Sequence, residues 1–265
     1  MGSRADLDAH LRRFDGGRFD EPSPRTPRSP AGLVELARTR RLLADHLPPG
    51  AEVLDVGGGT AVHAAWLAGR GHPVTLADPV PEHVATARAA GGCGAERGDA
   101  RTLRFPDGSF DAVLLLGPLH RLRDRADRLV ALSEARRVLR PGGVVLAGAV
   151  SRVVAATDRV TGAGSADPPR PARLRLVERG EGPADPAEGL SAAHVHTAAE
   201  LREEVAAAGF DDVRVTGVEA PGSLALRLVP PDDQVVAAAV VLAERAPGRP
   251  GAPDPSGHLL AVARR

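Results

Sequence analysis

Glu52-Val53-Leu54-Asp55-Val56-Gly57-Gly58-Gly59 reads as a short apolar strand running straight into a glycine turn. Glycines at such a junction let the backbone approach a ligand closely, and a following helix offers unpaired N–H groups. That helix is expected over about residues 61–69, carrying Ala64, Ala65, Trp66 and Leu67, with Gly69 and Gly71 closing it. Outward from this unit the alternation continues. Residues 73–77 read as a second strand, 81–90 as a second helix and 94–97 as a brief third strand. Pro106-Asp107-Gly108 then turns the chain into the run from Phe110 to Leu116, whose near-continuous apolar character suits a central parallel strand buried on both faces. A helix over 124–139, a Pro141-Gly142-Gly143 turn and a strand over 144–149 complete the series. Strands alternating with helices of this length predict an α/β fold with a doubly wound, mostly parallel, Rossmann-like sheet. Seven strands are expected, the C-terminal one antiparallel, under a cover of helices and loops.

The flanks carry less pattern. Residues 1–31 are polar and end in Pro22, Pro24, Pro27 and Pro30, which predicts an extended arm or cover. Residues 32–265 then form a single domain, opened by a helix over 32–47 that Pro48-Pro49-Gly50 stops. An insertion at about 151–196, rich in Pro, Gly and charge, is expected over the carboxyl edge of the sheet, where open α/β folds bind ligands. Thr197-Ala198-Ala199-Glu200 has the spacing of a capping box opening a helix to Ala208. A strand over 212–218, a helix over 232–245 and a last strand over 258–263 follow.

Composition excludes several function classes. Formal net charge is zero, so no global field favours nucleic acid or an anionic membrane. The run Arg121, Arg123, Arg125 and Arg128, interleaved with Asp124 and Asp127, reads as a solvated helix start. A single cysteine, Cys93, rules out an internal disulfide framework and a cysteine-based zinc site. There is no lysine and no tyrosine, which removes two candidate bases and nucleophiles. No apolar run approaches the roughly 20 residues that cross a bilayer, and the first 20 residues lack the apolar core of a signal peptide. A cytoplasmic enzyme is expected, with neither membrane nor nucleic acid as partner.

The details of the glycine turn discriminate between ligands. A dinucleotide fingerprint needs a third glycine at position 62, which is Val62, and a phosphate-cradling loop needs a lysine. What remains is Asp55-Val56-Gly57-Gly58-Gly59, an acid followed by spaced glycines. Over roughly residues 33–148 the chain resembles the class I S-adenosylmethionine-dependent methyltransferases. The resemblance implies that Asp55 helps position the amino-acid portion of S-adenosylmethionine while Gly57, Gly58 and Gly59 let the backbone reach it. Asp78, in Leu76-Ala77-Asp78-Pro79, ends the second strand about 20 positions on, where a carboxylate grips ribose hydroxyls. Gly98-Asp99-Ala100 resembles the third contact, with Asp99 accepting from the adenine amino group and Ala100 donating its N–H. Asp111 and Arg137-Val138-Leu139-Arg140-Pro141-Gly142-Gly143 complete the set.

Closer similarity is to bacterial small-molecule methyltransferases with a Leu-Gly-Pro-Leu-Tyr-His-Leu segment ending the fourth strand. Here the segment is Leu116-Gly117-Pro118-Leu119-His120-Arg121-Leu122, so that His120 stands for the tyrosine and Arg121 for the histidine. Ala61 occupies another position where the family has glycine, adding a methyl near the cofactor. Methyl transfer is an in-line displacement from an activated donor, so positioning and electrostatics dominate. A hydroxyl or protonated-amine acceptor benefits from a base, and His120 and then His196 are the candidates; a carboxylate acceptor needs none. His194-x-His196 lacks an apparent third ligand, so no metal is assigned. The acceptor is expected to be a small molecule. Two other readings stand beside this one: a non-catalytic cofactor-binding homologue, kept open by Ala61 and the His120-Arg121 pair, and a nicotinamide-dependent oxidoreductase, opposed by Val62.

Overall fold

A computed structural model of the chain describes residues 30–152, 171–182, 193–219, 238–239, 241–243 and 256–265. The expected arm over 1–29, most of the insertion and most of the 232–245 helix lie outside these residues. Helix α1 is Pro30–His46, so the polar arm ends two residues earlier than the sequence reading placed it. Proline is tolerated in a first turn, where its missing N–H has no intrahelical partner.

From there the βα alternation is realised. Strand β1 is Val53–Val56, followed by α2 Val62–Ala68, β2 Val74–Asp78, α3 Pro81–Ala90 and β3 Gly94–Arg97. The chain then forms β4 Phe110–Leu115, α4 Arg125–Val138 and β5 Leu139–Val150. Helix α5 is Pro171–Arg179, α6 Ala198–Ala207, β6 Asp211–Gly217 and β7 His258–Arg264. The seven strands form one sheet in the order β3-β2-β1-β4-β5-β7-β6. Strands β1 to β5 pair in parallel, and β7 lies antiparallel between β5 and β6. This is the mostly parallel, doubly wound sheet that the alternation predicted.

Alternate residues of the central strands supply two cores. Leu54, Val56, Val113, Leu115 and Val145 face the side covered by α4 and α6, with Leu132, Leu201 and Val205. Val53, Leu76, Ala112, Leu114 and Leu146 face the other, with Leu43 of α1, Ala64 and Leu67 of α2 and Ala87 of α3. The expected turn at Pro141-Gly142-Gly143 is instead part of β5. Its register against β4 shifts between the Phe110–Leu139 and Ala112–Val144 pairs, so the extra residues form a bulge. Gly142 N–H donates to the Arg265 carbonyl and Arg265 N–H to that of Gly143, which leaves this backbone no need to leave the sheet. The capping box is present, with Thr197 and Glu200 bonding each other's backbone N–H groups.

Strand order places β1 and β4 side by side while the chain leaves β1 in one direction and returns in the other. That is a topological switch point, and a crevice opens outside the carboxyl ends of these two strands.

Candidate active site

A cleft occupies the switch point. Its walls come from the turns after β1 to β4, and include Gly57, Gly59, Asp78, Pro79, Asp99, Ala100, Gly117 and His120. Seven of the expected cofactor residues thus meet in one place. Asp55, Gly58 and Leu116 are not part of the lining.

Asp55 is buried directly beneath the turn. A Cβ built on Gly58 would stand 2.4 Å from its Oδ2, so only glycine fits there. Neither carboxylate oxygen of Asp55 has a hydrogen-bond partner. Burial, with the nearby Asp78 charge adding to it, pushes this carboxyl up to about 7. Gly57 has φ +69°, in the left-handed region, and its missing side chain makes room for Pro118. Ala61 shares that conformation at φ 67°. Its methyl is buried in the core with Leu67 and Val53, so it does not enter the cleft as expected from the sequence.

Asp78 is held from three sides. Gly59 N–H donates to Oδ2 at 2.9 Å, and Val80 N–H and the His83 Nδ1 each meet Oδ1 at 2.9 Å. Asp99 is forked by Arg101, whose Nη2 donates to Oδ2 at 2.9 Å and whose Nε donates to Oδ1 at 3.2 Å. His83, Val80, Pro118, Arg121 and Leu122 also line the cleft, and the sequence reading missed His83. Its only local signal is position, on the first turn of the helix after Asp78-Pro79.

His120 also lines the cleft and is buried, at 3% exposure. Its carbonyl accepts from the N–H groups of Ala193 and His194, which ties the β4 turn to the segment entering α6. His196 is placed elsewhere. It is fully buried outside the cleft lining, its Nε2 3.1 Å from Glu204 Oε2, with His194 packed edge-on at 4.4 Å.

Glu204 is the carboxylate that His194 and His196 lacked in the sequence. Its oxygens are already filled, however. Arg128 Nη2 donates to Oε1 at 2.7 Å and Arg128 Nε to Oε2 at 2.9 Å, beside His196. A guanidinium forked onto the carboxylate neutralises it and occupies the directions a cation would need. Arg128 is therefore not the solvated helix-start residue expected: it is 3% exposed. Its Nη1 donates to the carbonyls of Leu122 and Arg123, bracing the turn that carries His120.

These buried groups set a pH dependence. Burial, then the Arg40 charge, lowers His63 to about 4. Burial, then the charges of His196 and Arg128, lowers His194 to about 3. Between about pH 4.5 and 6.5 the unfolded chain protonates both histidines while the folded chain keeps them neutral. Asp55 does the reverse, holding a proton in the folded chain only. Near pH 5.5 the unfolded state then binds about one proton more, so stability rises with pH there by about 1.4 kcal/mol per unit and levels off toward 7. Urea unfolding at a series of pH values measures this; stability that falls as pH rises through the window would mean neither histidine is held neutral, since Asp55 alone gives that sign, and a flat profile that only one of them is.

Fold and cleft together define a nucleotide-type α/β site without a dinucleotide fingerprint. Residues 54–147 match the family described as Methyltransferase domain. A demethylmenaquinone methyltransferase of Mycolicibacterium vanbaalenii is 41% identical over 97 residues, covering 37% of this chain and 41% of that protein. Another from Parafrankia sp. is 37% identical over 145 residues, covering 47% and 56%. The chain thus spans about half the length of the curated relatives it matches. The crystal structure of an S-adenosylmethionine-dependent methyltransferase from Mesorhizobium loti shares the fold with a TM-score of 0.59 at 24% identity, over 88% of this chain and 100% of that one. Residues 54–147 thus match a methyltransferase domain, and the seven-stranded sheet around them has the fold of solved S-adenosylmethionine-dependent methyltransferases. Among the described residues no helix is long and apolar enough to cross a membrane.

Proposed function

We propose that the whole chain is an S-adenosylmethionine-dependent methyltransferase acting on the oxygen, nitrogen or carboxylate of a small molecule. The observation that carries this reading is Asp78, held in the lining of the switch-point cleft by Gly59, Val80 and His83. The rest of the cleft suits the same ligand. A Cβ on Gly59 would meet nothing within 4 Å, so that wall is open to a close approach. Pro79, Val80, Ala100 and Leu122 give apolar surface for a flat base. Asp55 offers a buried, unpartnered carboxyl under the turn.

Bound there, S-adenosylmethionine supplies an already activated methyl group. The protein then has to orient the acceptor, exclude water and, for a hydroxyl or amine, accept a proton. His120, in the lining of the cleft, is the residue we assign to accept it. The relatives named for demethylmenaquinone match less than half of this chain, so their names do not fix its acceptor.

Calorimetric titration with S-adenosylhomocysteine, with NAD as the control, tests the reading. S-adenosylhomocysteine should bind and NAD should not. Asp78→Asn keeps the shape but removes the charge, and should weaken S-adenosylhomocysteine about tenfold. Unchanged affinity in that variant would sink the assignment of Asp78. Turnover of S-adenosylmethionine over an acceptor panel separates an enzyme from a protein that only binds the cofactor.

A further inference from the structure

We infer that Arg128 is a positioning residue for the reacting end of the cleft, holding the turn after β4 in place from behind; this rests on the cofactor and base assignments proposed above. Gly117, Pro118, His120 and Leu122 of that turn line the cleft, so its position shapes one wall. Its own backbone closes the first half, where the N–H groups of Arg121 and Leu122 both donate to the Pro118 carbonyl. The second half is gripped by other segments. The His120 carbonyl accepts from Ala193 N–H at 2.8 Å and His194 N–H at 3.2 Å. The Leu122 and Arg123 carbonyls accept from Arg128 Nη1 at 3.1 and 2.6 Å. The other edge of the same guanidinium is forked on Glu204, which His196 also contacts. His196 N–H in turn donates to the Val150 carbonyl at the end of β5. Arg128 thus ties the turn to α6 and, through Glu204 and His196, to β5.

Stability does not account for this arrangement. A buried ion pair is often no better than well-packed apolar residues of similar volume, because desolvating two charges offsets their attraction. What an apolar pair cannot reproduce is direction. A guanidinium presents five N–H donors in a rigid planar fork, so Arg128 bonds a carboxylate along one edge and two carbonyls from another nitrogen at once. Lysine has three donors on a single nitrogen and does not fix both edges. The pair is therefore suited to setting where the turn sits, with His120 on it.

The test compares the intact wild-type protein with Arg128→Lys and with the double variant Arg128→Met/Glu204→Leu. Urea unfolding reads stability and calorimetry reads affinity for S-adenosylhomocysteine. The imidazole cross-peak of His120 in histidine-labelled protein, identified by its loss in His120→Gln, reports where the turn sits. In the double variant both charges are gone, and the Leu122 and Arg123 carbonyls must find donors in water. It should unfold at nearly the wild-type urea concentration, yet bind S-adenosylhomocysteine about tenfold more weakly, with a displaced or exchange-broadened His120 signal. Arg128→Lys keeps a charge opposite Glu204 and should show the same two changes, which covers the case of a double variant that does not fold. An unmoved His120 signal in either folded variant, or wild-type affinity in both, would leave Arg128 a purely structural role and overturn the inference; so would the failure of both variants to fold. Wild-type protein that does not bind S-adenosylhomocysteine would instead overturn the cofactor reading, and the His120 signal alone would then judge the hold on the turn.

Discussion

Replacing Glu204 with alanine is expected to destabilise the fold by about 3–5 kcal/mol, because it leaves the Arg128 guanidinium charged and unpaired in the interior. Both side chains are nearly inaccessible, at 3% and 4% exposure, with 2.7 Å between Arg128 Nη2 and Oε1. Burial alone would raise the Glu204 carboxyl, but hydrogen bonds from His196 and Arg128 outweigh it and hold it at about 2. The loss in Glu204→Ala is the penalty of an orphaned cation, not the net worth of the pair. The double variant Arg128→Met/Glu204→Leu removes both charges together, and should recover most of that stability. Urea unfolding of wild type and these variants gives the numbers. A loss below about 1 kcal/mol in Glu204→Ala would mean that Arg128 reaches water, as exposed pairs do.

The contrast between this cluster and the cleft explains what could be read from the sequence. Glycine turn, acid at the end of β2 and apolar β4 are local demands: each is a residue type required at a position by backbone conformation or burial. Gly57 needs a positive φ and Gly58 has no space for a Cβ, so the pattern is written where it acts. The alternation of strands and helices fixed the switch point for the same reason, since each element carries its own period. Asp78, Asp99 and Gly117 then meet because the topology brings the carboxyl ends of their strands together.

Long-range polar pairing leaves no such trace. Arg128 and Glu204 are 76 positions apart on helices α4 and α6, and nothing in an arginine run marks the one that turns inward. The sequence reading therefore put Arg128 in water. His196 is the second candidate base in the sequence, yet its setting depends on Glu204 of α6 packing against it. Ala61 shows a different limit. Its left-handed backbone, costing about 1–2 kcal/mol for a non-glycine residue, is invisible in the residue type, and it directs the methyl into the core. The bulge at 140–143 depends on bonds to Arg265 at the other end of the chain. His83 could have been found, since a histidine five residues after Asp78 returns to it on the first turn of α3.

Gly117→Ala should reduce S-adenosylhomocysteine affinity about 100-fold while leaving a folded protein. A Cβ at this position would lie 2.8 Å from the Gly57 carbonyl oxygen. The obstacle is backbone, so no side-chain rotation relieves it, and one of two turns must move. The β1 turn is pinned by Gly57 N–H on the Ala77 carbonyl and by the Pro118 ring, which would stand 2.8 Å from a Cβ on Gly57. The β4 turn carries His120 and is braced by Arg128. Either displacement opens the cleft between the donor turn and the proposed base, and overpacking of this kind costs about 1–3 kcal/mol. Gly142→Ala is the matched control. Gly142 has a positive φ, at +79°, where Gly117 does not, and a Cβ there would meet nothing within 4 Å. It should cost backbone strain of about 1–2 kcal/mol without narrowing the cleft, leaving affinity within about twofold of wild type. If Gly117→Ala melts as a folded protein and still binds S-adenosylhomocysteine like wild type, the contact between the two turns does not shape the cofactor site.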